Sequence, residues 1–494
     1  MKSFLTTSFV IFYLALMLLS PLSAEAQITL KEFAADRGKI TADLEAIGRY
    51  EYWNWFAPKS DTNHDYGYSF TRNRLGLGFS NQYLKTYIQA QNTMMFGLPD
   101  NAMAPAPAGP LGLGAIYYLH DHEENYGSTI IRQAFLELPD IGGSGISLKG
   151  GRFDYIDGKE VMYKNPKINW LKNIRLAEKL IGPFGWAAFC RSFDGLQVSY
   201  DRTGYNLTAM ASHPTQGGFK DDAHKTMEDI DLATLTATFK YNKLIPNSEG
   251  RLFYYYYNDE RDISKVDNNP KSSLLNHGDI TIHTLGLHLL TTHKTASGIF
   301  DALLWAAYQS GDWGQLDHHA WAFNIEGGYQ FSKVFGNPWL RVGYAASSGD
   351  DNPNDHDHGT FFQLLPTARK YALFPFYNLM NSRDWFAQVI IKPHSKLVLR
   401  GDVHLLSLSE NEDRWYMGAG PTQESGSIFG YIGRPSFGDR DLATVVELTA
   451  MAKLTKNLSA TTYYGHAFGS KVIENIYQGD ENGDFFYLEL KLAF

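Results

Sequence analysis

Phe485-Phe486-Tyr487-Leu488-Glu489-Leu490-Lys491-Leu492-Ala493-Phe494 alternates with a period of two. Phe486, Leu488, Leu490, Leu492 and Phe494 fall on one face, and Glu489 and Lys491 on the other. Successive side chains of a strand point to opposite faces, so this spacing predicts a β-strand with one apolar and one wet side. The same parity recurs upstream. Ala233, Leu235, Ala237, Phe239 and Tyr241 oppose Thr234, Thr236, Thr238 and Lys240. Leu75, Leu77 and Phe79 oppose Arg72, Arg74 and Gly76, and Ile88 and Ala90 oppose Lys85, Gln89 and Gln91. Leu399, Val403 and Leu405 oppose Arg400, Asp402 and His404, and Val446, Leu448 and Ala450 oppose Glu447 and Thr449.

Such alternation over almost the whole chain predicts an all-β protein. Whether its apolar faces meet a core or lipid is decided by the rest of the sequence. Lys2, the apolar run Phe9 to Leu19 and Ala24-Glu25-Ala26 form the three regions of a secretory signal peptide, expected to span residues 1–26. Beyond it no apolar run is long enough for a membrane helix, so an exported chain that enters a membrane must do so as a barrel. Aromatic clusters such as Tyr50-Glu51-Tyr52-Trp53 and Phe253-Tyr254-Tyr255-Tyr256-Tyr257 mark strand ends, as in the aromatic girdles of membrane barrels. Residues 27–494, roughly 468 in all, then accommodate 16 to 18 strands of about 9–11 residues in one barrel domain. Such a barrel is expected to enclose an aqueous channel. Long connections are expected near 94–128, 155–190, 258–279, 347–384 and 409–440, alternating with tight turns.

Composition removes other classes. The 494 residues include 44 Lys+Arg and 53 Asp+Glu, a formal charge of −9 that gives no support to nucleic-acid binding. The single cysteine, Cys190, excludes a disulfide framework or a cysteine zinc site. The Asp350–His358 stretch, rich in Asp and His, lacks the spacing of a calcium loop, and Asp317-His318-His319 stands alone; neither is assigned a metal. No Gly-x-Ser-x-Gly nucleophile elbow or phosphate loop occurs. No catalytic residue, metal or cofactor is expected.

If the apolar faces meet lipid, the polar faces line a pore. Arg72 and Arg74 project inward from one strand, Lys85 from the next, and Arg400, Asp402 and Glu447 from strands much later in the chain. Arg132 has ambiguous parity, because Gln133 and Glu137 both want the lumen. Arg152 follows Gly150-Gly151, where a bulge could re-aim its side chain. Clustered cations in a channel with low-dielectric walls concentrate anions, and arginine binds carboxylates bidentately. Acidic Glu51, Glu326 and Glu489 interleave with them as ion-pair partners.

The closing strand resembles the C-terminal strand of bacterial outer-membrane proteins; Phe486, Leu488, Leu490, Leu492 and Phe494 would then be the signal read by the barrel-assembly machinery. From about residue 40 to 494 the chain also resembles the alginate-export family of outer-membrane porins. The resemblance is carried by Thr71-Arg72-Asn73-Arg74, Arg132-Gln133-Ala134-Phe135-Leu136-Glu137-Leu138, Gly150-Gly151-Arg152, and Gly343-Tyr344-Ala345-Ala346-Ser347-Ser348-Gly349-Asp350-Asp351. It continues through the Gly359–Arg369 and Phe376–Asn381 segments. The resemblance implies a monomeric 18-stranded barrel with an electropositive constriction, in which Arg72, Arg74, Arg132 and Arg152 map to pore arginines. Lys85, Arg369 and Arg400 join them from parity or loop position.

The expected function is a passive outer-membrane channel for an anionic solute, an alginate-like acidic polysaccharide above all, with outer-membrane lipid and periplasmic export proteins as further partners. The alternatives are a general or small-molecule porin, and a surface-acting enzyme or adhesion barrel with a plugged pore. Replacing Phe494 with Ala is expected to lower severalfold the fraction of protein assembled as a heat-modifiable barrel; unchanged assembly would remove the signal role from this face.

Overall fold

A computed structural model describes residues 28–33, 37–269 and 277–494; the expected signal peptide, residues 1–26, lies outside the described residues. The strands are β1 (Ile28–Phe33), β2 (Gly38–Asn54), β3 (Asp65–Ser80), β4 (Lys85–Phe96), β5 (Tyr126–Leu138), β6 (Ile146–Phe153), β7 (Phe193–Asp201) and β8 (Tyr205–Pro214). There follow β9 (Ile230–Phe239), β10 (Ser248–Asp259), β11 (Ile280–Lys294), β12 (Gly298–Trp313), β13 (Leu316–Phe331), β14 (Trp339–Ser347) and β15 (Asp357–His358). The last are β16 (Arg383–His394), β17 (Leu397–Ser407), β18 (Arg414–Gly418), β19 (Tyr431–Pro435), β20 (Asp441–Lys453), β21 (Leu458–Gly469) and β22 (Asn482–Ala493).

Eighteen of these form a closed antiparallel barrel. Its walls are β2 to β14, β16, β17 and β20 to β22, and β22 returns to pair with β2 from Glu45↔Ala493 to Asn54↔Asp484. Below that seam β1 covers the remaining edge of β2, pairing Ile28 with Ala42 and Phe33 with Gly38. The Phe494 N–H donates to the Leu44 carbonyl at 2.9 Å and Leu44 N–H returns a bond at 3.3 Å. The edge of β2 is therefore paired along its length, which is what hydrocarbon demands of a spanning sheet.

The outward face is the apolar one expected. Leu196, Leu235, Leu285 and Val342 are 55–63% exposed, a loss that lipid removes. Outward aromatics gather toward one end: Tyr344 stacks on Trp385 at 4.3 Å, and Tyr254 and Tyr308 contact His283 and His319. The aromatic run of β10 is split by the pleat, so only Tyr254 and Tyr256 belong to the girdle. Phe253, Tyr255 and Tyr257 point inward and are buried. At the opposite end the turns are tight, as at 81–84, 202–204 and 395–396. Long connections leave the girdle end at 97–125, 154–192, 260–279, 348–382 and 408–440, close to the expected bounds. The alternation fails once: β12 and β13 are joined at that end by Gly314 and Gln315 alone.

The interior departs from a simple water-filled tube. Long loops fold back into the girdle half and pack on inward aromatics, with Trp53 stacked on Phe485 at 3.9 Å and Trp55, Phe374 and Trp415 clustered around them. A second cluster joins Phe361, Phe362, Leu364 and Leu365 of the 348–382 loop to Tyr257, Trp305 and Trp313. In that half both faces of the wall are apolar, one for lipid and one for the loops. Placing Arg at Leu235, near the middle of β9, should destabilise the barrel by about 2–4 kcal/mol in lipid vesicles. Arg at inward Ser199 of β7, which faces an open cleft, should cost far less; equal urea midpoints would refute the assignment of faces.

Candidate functional site

The lumen is crossed by the 154–192 loop. Asn165 caps its helix, Pro166–Leu171, accepting the Lys167 and Ile168 N–H groups at 3.0 and 3.3 Å. That helix and the turn after it carry three cations to acids on the wall. Lys167 pairs with Asp301 at 3.0 Å, Lys172 with Glu249 at 2.6 Å, and Arg175 with Glu326 at 2.7 Å. Arg341 of β14 bridges Glu326, at 2.8 Å, and Asp301. These groups are almost wholly buried, so each charge depends on its partner; breaking such a pair typically costs about 3–5 kcal/mol.

Midway, the loop forms a short ladder with the 348–382 loop. Leu365 N–H donates to Leu180 O and Gly182 N–H to Leu365 O, both at 2.8 Å, and Thr367 N–H donates to Glu178 O at 3.0 Å. The loop then reaches the opposite wall. Arg72 donates to the carbonyls of Gly185 at 2.9 Å and Ala187 at 2.7 Å, and Arg49 to that of Trp186 at 2.9 Å. The Cys190 thiol lies 3.2 Å from Arg72 and 2.9 Å from Arg74. Burial raises the thiol's pKa, but Arg72, Arg74 and Arg132 outweigh it and hold the group below its usual value.

The arginines expected at the pore thus divide into different roles. Arg72 and Arg74 face inward and share Glu45, at 3.6 and 3.0 Å. Arg132 also faces inward, and its ambiguous parity has a cause: Gln89 pairs with Gln133 and Ala90 with Ile131, leaving Arg132 as the extra residue of a β-bulge. It grips both oxygens of Asp154 at 2.6 and 2.7 Å. Arg152 does not join them. It shares a strand face with Leu148 and Gly150 and pairs across to Asp194, whose face continues into exposed Leu196 and Val198. Gly151, at φ +119°, turns the strand without moving Arg152 inward, and its ion pair with Asp194 at 2.6 Å sits on the outward side.

Lys85 lies at the tight-turn mouth and pairs with Glu137 at 2.8 Å. Arg400 is held by Asp402, two residues on, at 2.7 and 3.0 Å. Glu447 accepts the Phe374 N–H and the Tyr463 hydroxyl, each at 2.7 Å, tying the 348–382 loop to β20. Arg369 is surrounded by the rings of Trp186, Tyr463, Phe485 and Tyr487 at 4.6–5.6 Å, and its Nε and Nη1 have no hydrogen-bond partner.

Sequence reasoning missed other cations. Lys179, buried on the crossing loop between Trp305 and Tyr371, is pulled down to about 8 by burial. The parity opposite Leu148 would have found Lys149; Lys240, placed by its parity on the threonine face of β9, does reach the lumen. The loop cations Lys172 and Arg175 carried no periodic signal. Two clefts remain open in the tight-turn half of the lumen. One, of about 370 Å³, is lined by Lys149, Glu160, Asp201, Asn206 and Lys240 among others. The other, of about 430 Å³, is lined by Lys39, Lys85, Tyr87 and Gln133. Glu137 borders both.

A closed 18-stranded barrel with an apolar belt and a charged, loop-crossed lumen defines an outer-membrane β-barrel channel rather than an enzyme. Residues 63–475 match the alginate export family, and the chain belongs to that family. Comparison with curated protein sequences finds no match. Among solved structures the chain is similar to a BenF-like porin from Pseudomonas fluorescens Pf-5, with 11% identity, a TM-score of 0.55 and coverage of 92% of this chain and 98% of that one. It is similar to OccD3 (OpdP) from Pseudomonas aeruginosa, with 11% identity, a TM-score of 0.55 and coverage of 96% and 95%. A third is the P. aeruginosa outer membrane protein OpdK, with 12% identity, a TM-score of 0.52 and coverage of 92% and 98%.

Arg72→Ala leaves the Gly185 and Ala187 carbonyls without their donor and should release the 183–191 segment. Labelling of Cys190, the sole cysteine, by a maleimide is expected to accelerate at least about tenfold, the effect of losing charged hydrogen bonds worth about 1.5–3 kcal/mol. Labelling at the parent rate would show that the segment is held by other contacts.

Proposed function

We propose that the barrel is a passive channel for an anionic solute, an acidic polysaccharide of the alginate type, and that the crossing loop closes it at rest. The observation that carries this reading is the convergence of Arg72, Arg74 and Arg132 on one stretch of that loop. These three guanidiniums share Glu45 and Asp154, and part of their donor capacity goes to backbone carbonyls and a thiol. A uronate carboxylate accepts two parallel N–H bonds from arginine and competes for the same donors. Lysines at the tight-turn mouth would concentrate polyanions ahead of that point. Ion pairs along the walls keep each rung weak, which conduction requires.

In this reading the tight turns face the periplasm, where export proteins feed the polymer, and the long loops face the exterior. The barrel-assembly machinery inserts the chain after removal of residues 1–26. Family membership supports the polysaccharide. A small-solute reading is favoured by one observation, the size of the open clefts, about 370 and 430 Å³. OpdK, a protein of the same fold, has been solved with vanillate, a small carboxylate.

Planar-bilayer recording under a KCl gradient separates these readings. Anion-selective current blocked by polyuronate, with selectivity lowered in Arg72→Glu and Arg74→Glu, is expected. Block by a small aromatic carboxylate alone would favour the second reading, and cation-selective or absent current would overturn both. Because Lys179 is a cation below about 8 and neutral above it, anion selectivity should fall as the pH rises from 7 to 9. That step should vanish in Lys179→Met; an unaltered step would assign the titration to another group.

A further inference from the structure

The two ends of the barrel carry opposite charge. At the long-loop end, 97–125 holds Asp100, Asp121, Glu123 and Glu124 and no Lys or Arg. At the other end, the turns 202–204, 240–247, 332–338, 395–396 and 454–457 hold Arg202, Lys240, Lys243, Lys333, Lys396 and Lys456 and no acid. Among the described residues of the tight turns the one acid is Asp140, whose carboxylate is occupied by the Gly145 N–H at 2.6 Å. Lys240 is taken by Asp201 at 2.7 Å. Lys243, Lys333, Lys396 and Lys456, one to a turn from β9 to β21, are exposed and have no ion-pair partner among the described residues. In a chain of formal charge −9 this is a segregated set of free cations.

The same turns expose apolar side chains. Leu244 and Ile245 follow Lys243, Val334 and Phe335 follow Lys333, and Leu454 precedes Lys456; Phe335 is 81% exposed. A Cβ built on Gly336 would meet the Cγ2 of Ile391 at 2.6 Å, so the 332–338 turn lies against an outward side chain of β16. Just above the turns runs a second, thinner row of outward rings. Tyr205 stands opposite Phe239 across β8 and β9, and Phe300 opposite Tyr329 across β12 and β13, with Phe331 two residues on. These rings share the parity of the lipid-facing Leu207, Leu235, Leu304 and Ile325.

Outward aromatics mark the level at which hydrocarbon gives way to headgroups. Lys333 lies two residues beyond Phe331, and Lys243 four beyond Phe239. A lysine there lays its stem on the apolar boundary and reaches the phosphate level with its ammonium group. The apolar tips lose their exposure at the same boundary. A solvated turn has no use for Phe335, and a docked acidic protein would favour one sector of the rim. Cations set one to a turn around the wall are met together by something that surrounds the barrel, and a leaflet does so. An anionic headgroup supplies the charge they lack.

We infer that the tight-turn rim from β9 to β21 is a binding surface for anionic phospholipid headgroups, with Lys243, Lys333, Lys396 and Lys456 each meeting a phosphate. It is independent of what the pore conducts.

The test is the full-length chain in phosphatidylcholine vesicles containing a minority of phosphatidylglycerol, with spin-labelled lipids of either headgroup reporting the shell around the barrel. The phosphatidylglycerol label is expected to associate at least about threefold more strongly than the phosphatidylcholine label at low salt. That preference should fall to near onefold in Lys243→Gln/Lys333→Gln/Lys396→Gln/Lys456→Gln, whose barrel stays heat-modifiable, and in the parent chain at about 1 M salt, where the charges are screened. A parent without headgroup preference, or a preference that the four substitutions leave intact, overturns the proposal. So does a rim that binds soluble polyglutamate but shows no lipid preference, since its partner would then be an acidic protein.

Discussion

Every backbone N–H and C=O within hydrocarbon must find a partner in the protein, and the closed ladder is how this chain meets that demand. The seam between β2 and β22 is the point at which the whole arrangement succeeds or fails. Residues 45–54 of β2 pair with β22, β1 takes the lower edge, and Leu44 and Phe494 exchange backbone bonds between them. Closure sets which face of each strand meets lipid. That in turn sets which side chains reach the lumen, and so where the loops can find polar anchors.

The interior then solves a second electrostatic problem. A loop that crosses the lumen must be fixed at both sides, and this one is fixed by different chemistry on each. On the β10–β14 side, buried Lys and Arg of the loop pair with wall carboxylates Glu249, Asp301 and Glu326. On the β2–β4 side the wall supplies the cations, and the loop answers with carbonyl oxygens and the Cys190 sulfur. Carbonyls satisfy a guanidinium's donors without cancelling its charge. The acids that balance these guanidiniums, Glu45, Glu51 and Glu489, stand on the wall beside them rather than on the loop.

Much of this architecture was legible in the chain. Strict alternation in Ala233–Tyr241 and in Phe485–Phe494 needs no tertiary information to read, because a pleated strand offers only two faces. The same rule failed where geometry breaks the period. Arg132 is the extra residue of a bulge, so its side chain and that of Gln133 both turn inward, which counting by two cannot express. Arg152 stayed in register despite its two preceding glycines and points outward. The inward aromatics of β10 were invisible as such, since a loop several tens of residues away supplies the apolar partner that makes an inward Tyr255 favourable.

Periodicity, the missing membrane helix and the loop spacing by themselves determined a membrane barrel of 16 to 18 strands, because lipid imposes one pattern on every strand it touches. The state of the lumen was decided only in three dimensions. Lys172, Arg175, Lys179 and Cys190 belong to an irregular loop with no repeat to read, and their meaning comes from wall residues remote in sequence that closure of the barrel places opposite them. Local sequence carries the period of the solvent it faces. It does not carry the identity of the neighbour across a pore.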